Sequence, residues 1–493
     1  MPSRIAALVA ERGERAAPDA ALVEGRTGQT VTWGDLAGRV AEWTGRNDLV
    51  GRAVLLKEGH PLEFITAYLG LLAAGAVVFP MAPDAPEADV AAALAGFGID
   101  VNPAANPMNP ASPSRAAPVG WAEPGTVVLR TSGTTGRPKG VPLDEARLLH
   151  AASLVARHHG FSPADTVYSS LPLFHINAQV VGVLAALVSG ATLAVDDRFH
   201  RRGFWDVMDR CGVTVLNAVP AILAILADEP PPPAAVAARM RFARSASAPL
   251  LPTTLRRFEE RSGIGVLETY GMTEAAGQIC ANPLDPAARR PGSVGPPVGL
   301  DLRVVDEQGA TVAPGVAGLV EILGPTVVDH YLVPGAPPSR VPAGGASGWL
   351  RTGDVASRDD GGFVHLLGRI DGVINRGGEK VYPRHVEEVL RRHPRVAEVA
   401  VVGEPDPVLG ERPVAFVVAR ATTPRNGRTN GRTNGLTDGS AGDLARFEQQ
   451  LFELCERELS RHQRPARILL ATSLPSTPTG KVRPDALRAM AAS

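Results

Sequence analysis

The stretch Thr131-Ser132-Gly133-Thr134-Thr135-Gly136-Arg137-Pro138-Lys139-Gly140 directly follows an apolar run at 126–129 of the kind that forms a buried strand. Three glycines, four hydroxyl side chains and one lysine make a loop whose backbone N–H groups and hydroxyls can wrap a polyphosphate. It is not a Walker loop, because Pro138 precedes Lys139 and no Gly-Lys-Ser/Thr closes it. A strand that runs into such a loop points to an α/β sheet with its chemistry at the strand ends.

Outward from that loop the rhythm stays α/β. Ala53-Val54-Leu55-Leu56, a helical stretch at 62–74 and the run Ala76-Val77-Val78-Phe79 alternate strand and helix, and further strands are expected at 192–195, 213–216 and 264–267. Residues 178–195 are long and apolar, but Gly190 punctuates them, so they read as a buried helix followed by a strand rather than as a membrane span. This predicts a large N-terminal domain of β-sheets flanked by helices over 1–369. Beyond Gly368 the units shorten: Val373-Ile374, a helix opening at Pro383 and carrying Val386, Val389 and Leu390, then strands at 396–402 and 414–418. A small mobile α+β domain is expected over 370–493. Within it, 422–442 holds the near-repeat Asn426-Gly427-Arg428-Thr429 and almost no apolar residues, the composition of a disordered surface loop.

Composition narrows the function. The chain has 493 residues, 44% hydrophobic and 20% charged, with a formal net charge of −1, the balance of a soluble enzyme. With no basic surplus, neither nucleic acid nor membrane insertion is expected, and the partners are small molecules. The oligomeric state is not specified, a homodimer being the state allowed for. Cys211, Cys280 and Cys455 are odd in number and far apart, which fits reduced thiols rather than a disulfide framework or a zinc site. The apolar run at 5–10 is too short for a signal peptide, so a cytoplasmic protein is expected. Only four of the fifty basic residues are lysine, and Lys139, Lys380 and Lys481 all sit in glycine-rich segments. A lysine that persists against an arginine bias marks a place where a compact ammonium is wanted.

The Thr131–Gly140 segment, with Tyr270-Gly271-Met272-Thr273-Glu274, Trp349-Leu350-Arg351-Thr352-Gly353-Asp354, Gly368-Arg369-Ile370-Asp371 and Pro478-Thr479-Gly480-Lys481-Val482-Arg483, resembles the adenylate-forming superfamily of acyl-CoA synthetases, luciferases and peptide-synthetase adenylation domains. The resemblance spans about 20–490, five segments in order. It implies ATP, Mg2+ and coenzyme A, and it implies roles. Thr131, Ser132, Gly133, Thr134, Thr135, Gly136 and Lys139 would hold phosphates. Glu274 would hold the metal, a hard cation wanting hard oxygen ligands, and Thr273 would reach the α-phosphate. Ser247, Ala248 and Pro249 would lie along adenine, with Tyr270 and Gly271 beside them, and Asp354 and Arg369 would take the ribose. Lys481 would stabilise charge during adenylation. Asp371 would be the hinge about which a second state forms, and Gly377 and Gly378 would line the pantetheine path.

The acid is less legible. Leu171-Pro172-Leu173-Phe174-His175 resembles the segment whose histidine gates the acyl pocket, and no aspartate follows it, only Ile176-Asn177-Ala178-Gln179, which disfavours an α-amino acid. The run Thr273 to Gln278 with Arg376-Gly377-Gly378-Glu379-Lys380 resembles the oxalate and small-acid CoA ligases. Gly277 replaces their usual histidine, so with Asn177 it would border a bulkier, more apolar monocarboxylic acid than oxalate. The expected activity is an AMP-forming acid–CoA ligase. Left open are loading of a carrier-protein phosphopantetheine, use of a preformed acyl adenylate, a luciferase-like oxygenase and a non-catalytic nucleotide binder.

Overall fold

The computed structural model describes residues 3–99, 118–132, 138–335, 337–345, 347–377, 379–420, 441–475 and 482–492. The chain divides into two compact units: 1–302 with 321–350 and 362–364, and 303–320 with 351–361 and 365–493. The sequence places the division at 370; the compact units also assign the strand-bearing segments 303–320 and 351–361 to the second. Of the loop expected at 422–442, residues 422–440 lie outside the described residues.

An eight-stranded sheet forms the centre of the first unit, in the order Cys280–Ala281, Val266–Tyr270, Phe242–Ser245, Val215–Ala218, Thr166–Ser169, Thr192–Val195, Ala20–Glu24 and Thr30–Thr32. Its six inner strands are parallel, and a short antiparallel strand closes each edge. Both faces are covered, which is why the strands read as continuous apolar runs. On one face Tyr168, Leu216, Ala243 and Val266 pack with Phe204, Met208, Leu223 and Phe258. A six-stranded sheet runs Ser339–Pro342, His330–Val333, Pro138–Leu143, Val127–Ser132, Val77–Pro80 and Ala53–Leu56. Pro61–Ala73 starts with Pro at its first turn and buries every residue except Glu63, as a helix apolar all round should.

The 178–195 stretch turns out as a π-helix, Ala178–Leu184, an α-helix, Ala185–Ser189, and the strand Thr192–Val195. Gly190 ends the helix at φ +79°, the left-handed conformation glycine adopts without a Cβ penalty. No helix among the described residues is long and apolar enough to cross a membrane. The π segment was not foreseen: hydrophobic periodicity cannot distinguish one wide turn from an α-helix, and such turns collect at functional sites.

In the second unit the sheet order is Glu379–Val381, Ile374–Arg376, Gly410–Ala419 and Val396–Asp406, with Arg467–Ala471 parallel beside Gly410–Ala419. Alternation sends Val399, Val401, Ala415 and Val417 to one apolar cluster and Ala400, Val402, Val414 and Phe416 to another. Helices Pro383–Leu390 and Ala441–Glu458 supply the first cluster, and Pro484–Ala492 the second. A further sheet orders Asp301–Val305, Gly318–Leu323, Leu350–Arg358 and Val364–Arg369.

Candidate functional site

Strands meet on either side of the glycine-rich segment: Val127–Ser132 pairs antiparallel with Pro138–Leu143, Thr131 opposite Lys139. The strand thus runs further than the sequence predicts, and Thr131 and Lys139 are partly buried strand residues. Gly133, Thr134, Thr135 and Gly136, and the side chain of Ser132, lie outside the described residues. Arg130, which has no role in the sequence reading, turns to donate to the Asp89 carbonyl at 3.1 Å.

Pairing of Leu332 with Gly140 sets Tyr331 beside Lys139, whose ammonium lies 4.8 Å from the phenol ring centre. The Tyr331 hydroxyl donates to Glu274 Oε1 at 3.4 Å, and the Glu274 carbonyl accepts from the Val328 amide at 2.8 Å. Burial, then the Glu274 carboxylate, push the phenol's pKa up, so Tyr331 is a fixed donor. Lys139 and Glu274, far apart in sequence, are joined through a tyrosine that sequence reasoning missed; the only signal was its place in an unassigned strand.

Glu274 is carried by a tight turn after the parallel strand Val266–Tyr270. Thr273–Ala275 is one turn of 3-10 helix, and the Gly277 amide closes back on Met272 O at 3.0 Å. Ala276 sits at φ +52°, a strained conformation for a residue with a Cβ. A Cβ on Gly271 would fall inside the van der Waals radius of the Gly277 carbonyl oxygen, so the turn requires glycine there. At Gly277 (φ +106°) the atoms nearest a Cβ would be side-chain carbons of Ile176 and Val180, each at 3.7 Å, an apolar wall, with the Ile176 carbonyl oxygen at 3.9 Å. Tyr270 is buried, and Gln278, which follows Gly277, is buried with neither end hydrogen-bonded among the described residues.

His175 directly precedes Ile176 of this wall in the chain. It is exposed, its ring 4.5 Å from that of Phe174, and its amide donates to Pro172 O. Asn177 is 8% exposed and donates from Nδ2 to the Ser247 hydroxyl at 3.1 Å. Ser247, Ala248 and Pro249 are all exposed, and Ser247 holds φ +69°, a second strained non-glycine position. Asn177 Oδ1 accepts from Asn217 Nδ2 and Arg244 Nη1, each at 3.2 Å. An open surface cavity of about 520 Å³ around Arg4, Arg147, His150 and Arg157 shares no residue with this site.

In the second unit Arg369 bridges two carboxylates, Asp354 Oδ1 at 3.4 Å and Asp371 Oδ1 at 3.3 Å. The Asp354 amide donates to Thr352 Oγ1, and the Asp371 carbonyl accepts from Arg488. The two residues assigned to ribose and the one assigned to the hinge therefore form one network. Gly377 (φ +62°) turns a hairpin in which Arg376 pairs with Glu379, and its amide donates to Leu409 O. Lys380 pairs with Glu307 at 2.6 Å. Gly378 and Lys481 lie outside the described residues.

A carboxylate, a phenol and an ammonium gathered beside the carboxyl ends of parallel strands equip an α/β enzyme to handle a phosphorylated nucleotide. Residues 99–332 match the AMP-binding enzyme family and 385–481 its AMP-binding enzyme C-terminal domain. The chain is 36% identical to the sulfoacetate–CoA ligase of Cupriavidus necator, over 97% of this chain and 96% of that one. It is also 36% identical to the oxalate–CoA ligase of Arabidopsis thaliana, over 74% of this chain and 67% of that one. The solved structure of ATP-bound MatB from Rhodopseudomonas palustris superposes with a TM-score of 0.82 at 27% identity, covering 98% of each chain. This chain belongs to the AMP-binding enzyme family, and is by class an acid–thiol ligase.

Proposed function

We propose that this enzyme is an AMP-forming acid–CoA ligase whose acid has a larger and more apolar body than oxalate. The substrate carboxylate attacks the ATP α-phosphate and pyrophosphate leaves; the CoA thiol then attacks the acyl adenylate and AMP leaves. The observation that carries the reading is the Lys139–Tyr331–Glu274 cluster, an ammonium for phosphate oxygens beside a buried-side carboxylate. The relatives named as ligases of sulfoacetate and oxalate support the class.

The residues present fit magnesium: Glu274 is a hard anionic oxygen donor held by Tyr331, and phosphate oxygens complete such a sphere. Bound there, the ion would neutralise charge on the leaving pyrophosphate. Tyr331 orients Glu274, and Lys139 offers its charge to phosphate at the end of the glycine-rich segment. Thr273, on the same turn, presents its hydroxyl to the α-phosphate. Asp354 takes the ribose hydroxyls and Arg369 donates beside it, which requires Arg369 to loosen its existing hold. Lys481 stabilises the charge that passes between carboxylate and α-phosphate, Asp371 is the hinge, and Gly377 and Gly378 border the pantetheine. The apolar wall of Ile176 and Val180 at Gly277 favours an acid with an apolar body. Three free cysteines, two of them buried, suit a reducing compartment, the cytoplasm.

The test is pyrophosphate release from ATP and magnesium across a panel of carboxylic acids, with CoA or phosphopantetheinyl carrier protein as acceptor. Acid-dependent release with thioester formed on CoA is expected. Thioester formed only on the carrier, or only from a supplied acyl adenylate, would overturn the CoA ligase reading.

A further inference from the structure

At the carboxyl ends of three adjacent parallel strands, Ser169, Asn217 and Arg244 lie side by side in register. All three are buried, and Arg244 is 1% exposed. Its Nη1 donates to Asn177 Oδ1 at 3.2 Å and Asn217 Oδ1 at 3.1 Å. Its Nε finds no partner, and among the described residues it makes no ion pair. Two histidines feel the arginine: His158 and His159 are pushed down by burial first and by its charge second. The neighbouring Arg241 has its own carboxylate, Asp165, at 2.8 Å. Burial lowers Arg244 to about 9, which still leaves it a cation at neutral pH.

A buried cation without an acid is a costly arrangement, and burial without a counter-charge is what folded proteins otherwise avoid. The cost is explained if a ligand brings the missing charge. The route to that ligand is on the site already described. Asn177 hydrogen-bonds the guanidinium on one side and exposed Ser247 on the other, and the preceding residue, Ile176, forms the apolar wall at Gly277. The unpartnered Nε belongs to the fork edge of a guanidinium, which matches two oxygens of a carboxylate or sulfonate.

We infer that the acid activated by this enzyme carries a second anionic group, carboxylate or sulfonate, beyond an apolar spacer, and that Arg244 with Asn177 is the site that receives it. This rests on the acid–CoA ligase reading and replaces the expectation of a single acid group. Asn177 shifts from Ser247 toward the incoming anion, and the spacer lies along Ile176 and Val180.

The experiment uses the full chain with ATP, magnesium and CoA, and pairs of acids matched in body. One member ends in carboxylate or sulfonate, the other in the neutral amide or methyl group. The wild type should prefer the anionic member by on the order of 100-fold in kcat/KM for pyrophosphate release. Arg244→Met should bring that preference to within about threefold, and Arg244→Lys should keep part of it. A preference for either the carboxylate or the sulfonate arm supports the site and names the anion. Equal use of both members, or a preference for the neutral one, overturns the inference and leaves the ligase reading standing. A loss in Arg244→Met that is the same for both members also overturns it, because that is a structural role. If the variant does not fold, the wild-type comparison decides alone. Release with no acid at all overturns the ligase reading, and this inference with it.

Discussion

Two arginines set the two units of this protein against each other. Arg244 is buried among the parallel strands of the first unit and, among the described residues, its side chain bonds to the amide oxygens of Asn177 and Asn217. Arg369, half exposed in the second, already holds two carboxylates, Asp354 and Asp371. The first has charge to spare and nothing to give up; the second must release a partner before it can serve a ligand. Desolvation makes the difference, since an exposed pair exchanges with water at little cost while a buried cation has no such substitute. Under the proposed function, specificity for an acid would belong with the first arrangement and reversible nucleotide handling with the second.

The contrast breaks furthest at the C-terminal lysine. Lys481→Ala should slow acid-dependent pyrophosphate release by on the order of a hundred- to a thousandfold, while CoA attack on a supplied acyl adenylate continues. Equal slowing of both steps would mean that Lys481 is not specific to adenylation. Next comes the first unit's turn: Gly271→Ala forces a Cβ into the Gly277 carbonyl, and denaturant melts should show a loss of about 1–3 kcal/mol together with failing adenylation. Tyr331→Phe removes one long hydrogen bond to Glu274, which should raise the magnesium concentration for half-maximal rate by about two- to tenfold with stability nearly unchanged.

pH sharpens the buried side of the comparison. His159 is fully buried, and burial first, then Arg244, hold it well below the ordinary histidine range. The unfolded chain takes up that proton near pH 6.5 while the folded one refuses it, so this contribution is complete above about 6.5 and is lost as pH falls through the folded value. Melting temperature should therefore drop between pH 7 and 5, and less steeply in Arg244→Met, where one cause of the depression is gone. An identical slope in both proteins would show that the guanidinium charge does not reach the histidine. Smallest of all is Arg369→Lys. The exposed pairs should cost under about 1 kcal/mol in stability, and the change should appear instead as a higher KM for ATP.

Much of the fold can be read along the chain because buried parallel strands are apolar runs bounded by turn residues. The strand at Ala53–Leu56, the helix Pro61–Ala73 and the helix opened by Pro383 fall where apolar patterning and proline put them. Strands at Val215–Ala218 and Val266–Tyr270 begin and end about two residues later than hydrophobicity alone predicts, because Asn217, Glu268 and Thr269 are polar yet buried in the sheet. Local sequence also put Glu274, Asp354, Arg369 and Gly271 forward as candidates, because their motifs are contiguous.

What the sequence determined by itself was the family, the order of the elements and the places of the short glycine- and hydroxyl-rich motifs, since such motifs and backbone turns are built from neighbours in the chain. Only the tertiary structure decided that Arg244 is buried with no acid beside it among the described residues, that Tyr331 joins Lys139 to Glu274, and that Ser169, Asn217 and Arg244 form one row. Those facts depend on strand register and on burial, and both arise from contacts between residues tens to hundreds of positions apart, which no local pattern encodes.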